Sequence, residues 1–379
     1  MRKGMGITFK LDPETIIGAD ALSLAGTICS RYGKRIMIAA DHSLDASSVK
    51  RLKDILEDSG VEAVVFDGVE EQSSADMADN VTELCRAAHC TAVIGFGGPD
   101  TQAIARMTAV MAPMGLSVFQ LLEGRNARNK FLPLISIPTA GTDAFMFTDY
   151  FIIADPRDRM VKSVSSPDKL HAAVILDSSL SPQLSGANWP VSVFNGFCIA
   201  LEAYCSTKAN FLSDTLLEKA LALFAKMMRT SPDKTDVDTV IQAGFLASMG
   251  ASLSSPGLSA ALAQAFNARF KAAKHQCAAV LLPFIMEKLA ASRPEKTARV
   301  ASLLSNTKFP TVAEAANSAA GSVRARMEAF KIKPDLKDFS ISLDRMVASA
   351  EAARNLEFVS YSPWTVTEED LFEILKSIV

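Results

Sequence analysis

The stretch "VIGFGGPDTQAIAR" (93–106) indicates the fold of this chain, because a glycine turn joins a β-rich apolar run to a helical run. Glycine adopts positive φ and lets a ligand approach the backbone, so Gly97 and Gly98 can direct N–H groups at a pyrophosphate beside a helix N-terminus. Any tight turn between a strand and a helix can also use glycines. The stretch therefore predicts a strand–turn–helix unit, with a phosphate site as one interpretation.

Further apolar runs lie on both sides of this stretch: KRIMIAA (34–40), VEAVVF (61–66), TAVIGF (91–96), LPLISI (132–137), YFIIAD (150–155) and AAVILD (172–177). Amphipathic segments at 48–60 and 74–89 separate the earlier runs. Near-continuous apolar strands that alternate with helices are typical of a parallel sheet covered on both faces. We therefore predict a doubly wound α/β nucleotide-binding domain over residues 1–182.

The second half of the chain has a different pattern, because the β-branched runs stop after Pro182 and Ala, Leu and Met become frequent. Apolar residues repeat every three to four positions in the segments 214–229, 239–253, 295–305, 312–330 and 343–354. Ser, Pro and Gly cluster in "DSSLSPQLSGANWP" (177–190), as expected of a connection between domains. The pattern predicts an all-helical domain over residues 183–379.

Composition narrows the class of protein. The 379 residues are 49% apolar and 21% charged, which is typical of a compact globular chain. The net charge is -3 and no Lys/Arg-rich run occurs, which argues against nucleic-acid binding. No signal-peptide h-region and no transmembrane-length apolar stretch is present, so we expect a cytoplasmic protein without a membrane partner. The 6 cysteines form no CxxC pair, which favours buried free thiols.

Two more strand ends carry polar side chains that suit a nucleotide. Asp41 in "MIAADHSL" (37–44) follows the first of the runs above, where a carboxylate can accept both ribose hydroxyls and repel a 2′-phosphate. Asp41 could instead simply cap the following helix. "SIPTAGTDA" (136–144) adds hydroxyls and another glycine turn at a strand end, where ligands bind in open α/β sheets.

Sequence landmarks run along nearly the whole chain: IIGADALSLAG, KRIMIAADHSL, VIGFGGPD, IPTAGT, SSPDKLHAAVILD, ALEAY, SSPGLSAAL, KHQCAAVLLP and SPWTVTEEDLFEIL. In order and spacing they resemble the iron-containing alcohol dehydrogenase family. That family pairs an N-terminal nucleotide-binding α/β domain with a C-terminal helical domain. The resemblance implies an NAD(H)-linked oxidoreductase, often a homodimer, that interconverts an alcohol and an aldehyde or ketone.

The resemblance also implies cofactor contacts: Asp41 selects NAD over NADP, Gly97 and Gly98 hold the pyrophosphate, and Thr139, Thr142 and Lys162 contact the cofactor. The phosphate motif departs from the family's Gly-Gly-Gly-Ser, because Pro99 and Asp100 replace its last two residues. Pro99 donates no N–H and Asp100 adds a negative charge, so both weaken the anion site. The family's Asp-x-Ala-Lys falls on 103–106, and its Gly-Ser-Glu falls on 143–145.

The metal site of the family departs further. The resemblance places its ligands at Asn195, Ile199 and Leu262, with Lys274 or, after a one-residue shift, His275 at the last position. Ile and Leu cannot coordinate a metal, and a tight site needs three or four protein ligands. We therefore expect neither iron nor zinc. The family includes the maleylacetate reductases, which are regarded as metal-independent.

Other residues could take over the chemistry. Cys198 and Cys277 could rebuild a Cys/His metal site with His275, and Lys274, Arg269 or Lys271 could stabilise an alkoxide as a fixed cation. We select His275 and Lys274 as the catalytic candidates. The main hypothesis is a metal-free NAD(H)-linked oxidoreductase. The alternatives are a catalytically inactive binding protein and another metal enzyme of the same superfold.

Overall fold

The structure is a computed structural model that describes residues 13–125, 130–167, 169–180, 189–230, 236–337 and 342–378. Its strands are β1 (Glu14–Ile17), β2 (Arg35–Asp41), β3 (Glu62–Val69), β4 (Ala92–Gly97), β5 (Leu134–Pro138), β6 (Tyr150–Asp155), β7 (Met160–Ser165) and β8 (His171–Leu176). Its helices are α1 (Ala25–Cys29), α2 (Ala46–Asp58), α3 (Ala75–Ala87), α4 (Pro99–Met111), α5 (Val118–Leu122), α6 (Trp189–Cys205), α7 (Phe211–Met228), α8 (Val237–Leu253), α9 (Leu258–Phe270), α10 (Lys274–Ser292), α11 (Pro294–Ser305), α12 (Val312–Ala329), α13 (Leu343–Arg354) and α14 (Glu368–Ile378).

Six of these strands form one parallel sheet in the order β1-β8-β5-β4-β2-β3. Alternate residues of β2 point to opposite faces of the sheet, as expected of a strand. Ile36 and Ile38 pack in the core that includes α1 and α2, whereas Met37 and Ala39 pack in the core that includes α3 and α4. The prediction of a doubly wound α/β domain is confirmed.

One predicted strand lies outside this sheet. "YFIIAD" (150–155) forms β6 of an antiparallel hairpin with β7, and a turn closed by Arg159 N–H on the Asp155 carbonyl at 2.8 Å joins the two strands. Phe151 packs in the core of the sheet domain and Ile152 packs in the core of the helical domain. The expectation of a parallel strand here was wrong, because a hairpin buried on both faces has the same apolar pattern.

The remainder of the described chain is helical, and the helices predicted from periodicity are confirmed as α7, α8, α11, α12 and α13. Local signals set their ends: Asn210 caps α7, and its side chain accepts hydrogen bonds from Leu212 N–H at 3.1 Å and Ser213 N–H at 3.2 Å. The predicted domain boundary at 182/183 lies outside the described residues. In the described part of the chain, no helix has the length and apolar character needed to cross a membrane.

The strand order reverses between β2 and β4, because the chain runs from β2 to β3 at one edge and then returns to the other side of β2. Open α/β sheets bind ligands outside the carboxyl ends of their strands at such a reversal. Asp41 ends β2 and Gly97 ends β4 at this point. The topology therefore brings together two residues that lie far apart in the sequence.

Two helical glycines let the helical domain approach the loop after β5. A Cβ atom at Gly244 of α8 would lie 1.5 Å from the Gly141 carbonyl oxygen, and one at Gly196 of α6 would lie 2.6 Å from Thr142 Oγ1. Any larger residue at Gly244 would push the two domains apart. These contacts form one wall of the cleft described next.

Candidate functional site

A cleft of about 420 Å³ separates the parallel sheet from the helical domain. Six of the residues selected from the sequence line it: Asp41, Gly98, Thr142, Asn195, Lys274 and His275. The structure thus places residues from β2, α6, α10 and two loops around one space. Gly97, Thr139, Lys162, Ile199 and Leu262 are not among its lining residues.

The glycine turn at Gly97 and Gly98 packs closely against Asp41. Gly97 has φ +153°, and a Cβ atom there would lie 2.5 Å from Asp41 Cβ, so the position requires glycine. Asp41 accepts hydrogen bonds from Ser43 N–H at 2.9 Å and from the Ser43 hydroxyl at 2.8 Å, while Gly98 N–H points at its other oxygen at 3.4 Å. Asp45 caps α2 instead, so the interpretation of Asp41 as the helix cap was wrong.

Two buried threonine hydroxyls follow β5. Within the described residues, neither Thr139 Oγ1 nor Thr142 Oγ1 has a hydrogen-bond partner. Buried polar atoms are normally satisfied, so Thr142, which lines the cleft, suits a ligand that offers a hydrogen-bonding group. Thr139 is buried and does not line the cleft. Lys162 Nζ pairs with Asp158 Oδ2 at 2.7 Å on the hairpin, so the structure does not bring Lys162 to the cleft.

An ion pair that the sequence did not reveal joins the two sides of the cleft. Lys274 Nζ lies 2.6 Å from Asp100 Oδ1, and the two side chains are only 16% and 13% exposed. The same oxygen accepts a hydrogen bond from Ser73 N–H at 2.7 Å. The sequence shows the charge of Asp100, but nothing in it places α10 against α4.

His275 follows Lys274 in the first turn of α10 and presents its side chain to the cleft. The surrounding protein desolvates the imidazole and lowers its pKa below the usual 6.5, and the negative charge of Glu71 opposes this shift only in part. The imidazole is therefore neutral at pH 7. A neutral imidazole can accept a proton from an alcohol or donate a hydrogen bond to an oxygen.

The positions that the resemblance assigned to metal ligands do not form a metal site. Ile199 is 5% exposed and Leu262 is fully buried, and both belong to the apolar core of the helical domain. Asn195 alone among these three lines the cleft. Within the described ranges there is no group of three or more His, Cys, Asp or Glu side chains placed to hold a metal ion. Ile199 and Leu262 themselves offer no ligand to iron or zinc, because both side chains are hydrocarbon.

The proposed substitutes for the ligands lie elsewhere. Burial raises the pKa of the Cys198 thiol well above its usual value and that of the Cys277 thiol to about 12, so both thiols stay protonated. Neither cysteine lines the cleft, and the rebuilt Cys/His site does not form. The side chain of Lys271 is 76% exposed, and neither it nor Arg269 lines the cleft. Lys274 is the candidate cation that reaches it.

Arg106 on α4 and Asp143 after β5 lie at positions where this chain departs from the family's motifs. Together they form a buried charged group. Arg106 donates to the carbonyls of Phe145 and Thr148, each at 2.7 Å, while the Asp143 carboxylate accepts from Phe145 N–H at 2.8 Å. Burial lowers the pKa of Arg106 to about 10 and raises that of Asp143, and the two charges attract each other. These residues therefore hold the loop after β5 in place.

A buried carboxylate inside the landmark ALEAY (200–204) supports α9. Glu202 accepts hydrogen bonds from Ser259 N–H at 3.2 Å and from the Ser259 hydroxyl, at the N-terminus of that helix. Burial raises the pKa of Glu202 to about 7, although these hydrogen bonds oppose the shift. The sequence indicates this buried carboxylate only by the position of a glutamate inside the apolar run "CIALEAYC" (198–205).

Comparison with known families identifies the architecture. The family model described as iron-containing alcohol dehydrogenase matches residues 13–178, and the C-terminal model of the same family matches residues 191–379. The chain belongs to the iron-containing alcohol dehydrogenase family. Membership of this dehydrogenase family makes it an enzyme of the alcohol dehydrogenase type.

Individual relatives of this family member are distant. It is 23% identical to lactaldehyde reductase of Escherichia coli (strain K12), over 90% of this chain and 91% of the relative, and 23% identical to 1,3-propanediol dehydrogenase of Citrobacter freundii, over 95% of each. Its fold is similar to the crystal structure of a 1,3-propanediol oxidoreductase, with a TM-score of 0.90, 20% identity and coverage of 98% and 99%. It is also similar to the sulfoacetaldehyde reductase of Bifidobacterium kashiwanohense in complex with NAD+, with a TM-score of 0.82, 16% identity and coverage of 98% of each chain.

Proposed function

We propose that this alcohol dehydrogenase family member is an NAD(H)-linked oxidoreductase that interconverts an alcohol and an aldehyde or ketone without the family's metal. One observation carries the proposal: a single cleft collects Asp41 and Gly98 from the sheet domain and Asn195, Lys274 and His275 from the helical domain. The first group suits a dinucleotide, and the second suits the oxygen of a substrate.

The residues of the sheet side fit a dinucleotide in part. Asp41 is placed for ribose hydroxyls and against a 2′-phosphate, and Thr142 offers a buried hydroxyl that lacks a partner among the described residues. NAD(H), when bound, would accept or supply the hydride. A solved relative of the same fold was captured with NAD+, which agrees with this choice of cofactor. Contacts from Gly97, Thr139 and Lys162 remain predictions.

The helical side supplies hydrogen-bonding groups where the resemblance expected a metal. The neutral His275 imidazole accepts the alcohol proton in oxidation and returns a proton to the oxygen in reduction. The Lys274 ammonium has three N–H donors, of which Asp100 takes one, and its charge stabilises negative charge that develops on the substrate oxygen. The Asn195 amide can orient the same oxygen. No step requires a metal ligand at Ile199 or Leu262.

The deciding experiment compares chelator-treated protein with protein supplied with Fe²⁺ or Zn²⁺. NADH oxidation is followed by absorbance in the presence of short-chain and hydroxylated aldehydes. We expect the same turnover in both preparations and no stoichiometric metal by elemental analysis. Turnover that appears only after metal is added would refute the metal-free reaction. Tight NADH binding without turnover of any carbonyl compound or alcohol would instead favour the non-catalytic alternative.

The family resemblance further suggests a cytoplasmic homodimer. Light scattering of the purified protein during gel filtration measures its mass against the 40.6 kDa of one chain. A mass twice that value supports the dimer, and the monomer mass excludes it.

A further inference from the structure

The ion pair between Asp100 and Lys274 joins two helix N-termini. Asp100 lies in the first turn of α4, and Lys274 begins α10. The distance of 2.6 Å and the low exposure of both side chains mean that water screens this pair less than an ion pair on the open surface. The pair lies in the cleft itself, because both residues line it.

The N-terminus of α4 is the place where the positive end of a helix dipole would attract a pyrophosphate. The chain's own carboxylates already occupy this neighbourhood. Asp100 stands in the first turn, Gly98 N–H points at Asp41 Oδ2 at 3.4 Å, and Pro99 has no N–H to donate. These carboxylates therefore offset most of the attraction that this helix end would exert on an anionic ligand.

The charges that line the cleft also disfavour an anionic ligand. Three carboxylates, those of Asp41, Glu71 and Asp100, line it, whereas Lys274 provides one ammonium. The Lys274 ammonium donates a hydrogen bond to Asp100 Oδ1 at 2.6 Å. The lining thus carries a negative formal charge where a dinucleotide brings two further negative charges.

We propose that Asp100 is a positioning residue that holds the Lys274 ammonium and thereby weakens the attraction of the cleft for an anionic dinucleotide. This inference rests on the proposed function, since it concerns the same cofactor. Affinity for NADH is then low at low ionic strength and improves when salt screens the carboxylates. A cleft lined by free cations would show the opposite salt dependence.

The test measures the Kd of NADH by fluorescence for the full-length wild type, Asp100→Ser and Asp100→Asn, at ionic strengths of about 0.01 M and 0.5 M. Both variants remove the charge, and Asp100→Asn also preserves the shape. We expect both to bind NADH about tenfold more tightly at low salt, which corresponds to about 1.4 kcal/mol. We also expect salt to improve their affinity less than that of the wild type, because only Asp41 and Glu71 remain as carboxylates of the lining. Lys271→Met, which changes a lysine outside the cleft, is the control and should match the wild type.

The double variant Asp100→Ser/Lys274→Met tests the role of the ammonium. If Asp100 acts by holding Lys274, the gain of Asp100→Ser disappears in the double variant. Circular dichroism and thermal unfolding establish that each variant is folded. A full gain in the double variant, or no gain in Asp100→Ser and Asp100→Asn, overturns the inference.

Failure of the inference and failure of the proposed function are distinguishable. Wild-type protein that turns over aldehydes with NADH, together with an Asp100→Ser variant that binds no more tightly, refutes only the inference. Tighter NADH binding by Asp100→Ser without turnover by any variant refutes only the proposed function. No NADH binding by any folded variant refutes both.

Discussion

The sheet side and the helical side of the cleft differ in how each departs from the pattern of the family. On the sheet side, the glycine turn packs against Asp41, and the changes from the expected phosphate motif are the loss of an N–H at Pro99 and the added charge of Asp100. On the helical side, the change is one of chemistry, because Ile199 and Leu262 present hydrocarbon and cannot coordinate. A charge can be balanced by a neighbour such as Lys274, whereas a missing ligand needs a different reaction route. The proposed weakening of cofactor binding and the proposed metal-free handling of the substrate oxygen can therefore be tested separately.

The largest expected effect concerns the helical side. Replacing His275 with Gln should lower kcat for alcohol oxidation about 10²-fold or more, because the group that accepts the proton is lost. His89→Gln, which changes an exposed histidine in the turn between α3 and β4, should leave kcat unchanged. Steady-state kinetics with saturating NAD check both variants. Equal activity of His275→Gln and wild type would remove His275 from the reaction.

We expect His275 also to set the pH dependence of alcohol oxidation. Because the pKa of His275 is lowered below 6.5, the neutral imidazole persists below pH 6.5. The acid limb of kcat/KM for alcohol oxidation should therefore fall below that pH. It should be absent from the His275→Gln profile. An acid limb above pH 7 in the wild type would contradict this assignment.

A second prediction addresses the contact that holds the two sides together. Gly244→Ala should destabilise the protein by about 3 kcal/mol or more, since the new Cβ would lie 1.5 Å from the Gly141 carbonyl oxygen. Gly321→Ala is the matched control in α12, where no atom lies within 4 Å of a new Cβ, and it should stabilise by about 0.5–1 kcal/mol. Urea denaturation measures both. A neutral Gly244→Ala would show that the cleft wall can move.

A third prediction concerns Glu202, which supports the helix that carries Leu262. Its pKa rises from 4.5 to about 7 on folding, so the protonated carboxyl contributes stability that is complete below pH 4.5 and is lost as pH rises through 7. The expected loss is about 3 kcal/mol. Glu202→Gln should flatten the stability profile between these values in denaturant unfolding. An unchanged profile would assign the dependence to other groups.

The smallest expected effect lies on the sheet side. Asp41→Asn should reduce the preference for NADH over NADPH by about tenfold, or 1.4 kcal/mol, because the repulsion of a 2′-phosphate is removed. The ratio of kcat/KM values for the two cofactors is the measurement. An unchanged ratio would show that Asp41 binds neither ribose hydroxyl.

Much of the architecture could be predicted from the sequence because it depends on local periodicity. The strands β2, β4 and β5 and the helices α7 and α8 follow from apolar runs whose period is visible within each segment. The hairpin of β6 and β7 could not be separated from a parallel strand. Its Phe151 and Ile152 pack in two different cores. An apolar run shows that a strand is buried, but it does not show which strand pairs with it.

The sequence by itself determined the two-part fold, the glycine turn after β4 and the hydrocarbon at Ile199 and Leu262, because residue type and spacing suffice for each. Only the tertiary structure decided that Asp100 meets Lys274. It also decided that Lys162 lies outside the cleft lining and that the protein around His275 lowers its pKa. These facts depend on distances between segments far apart in the chain, and such distances are set by how the helical domain packs on the sheet.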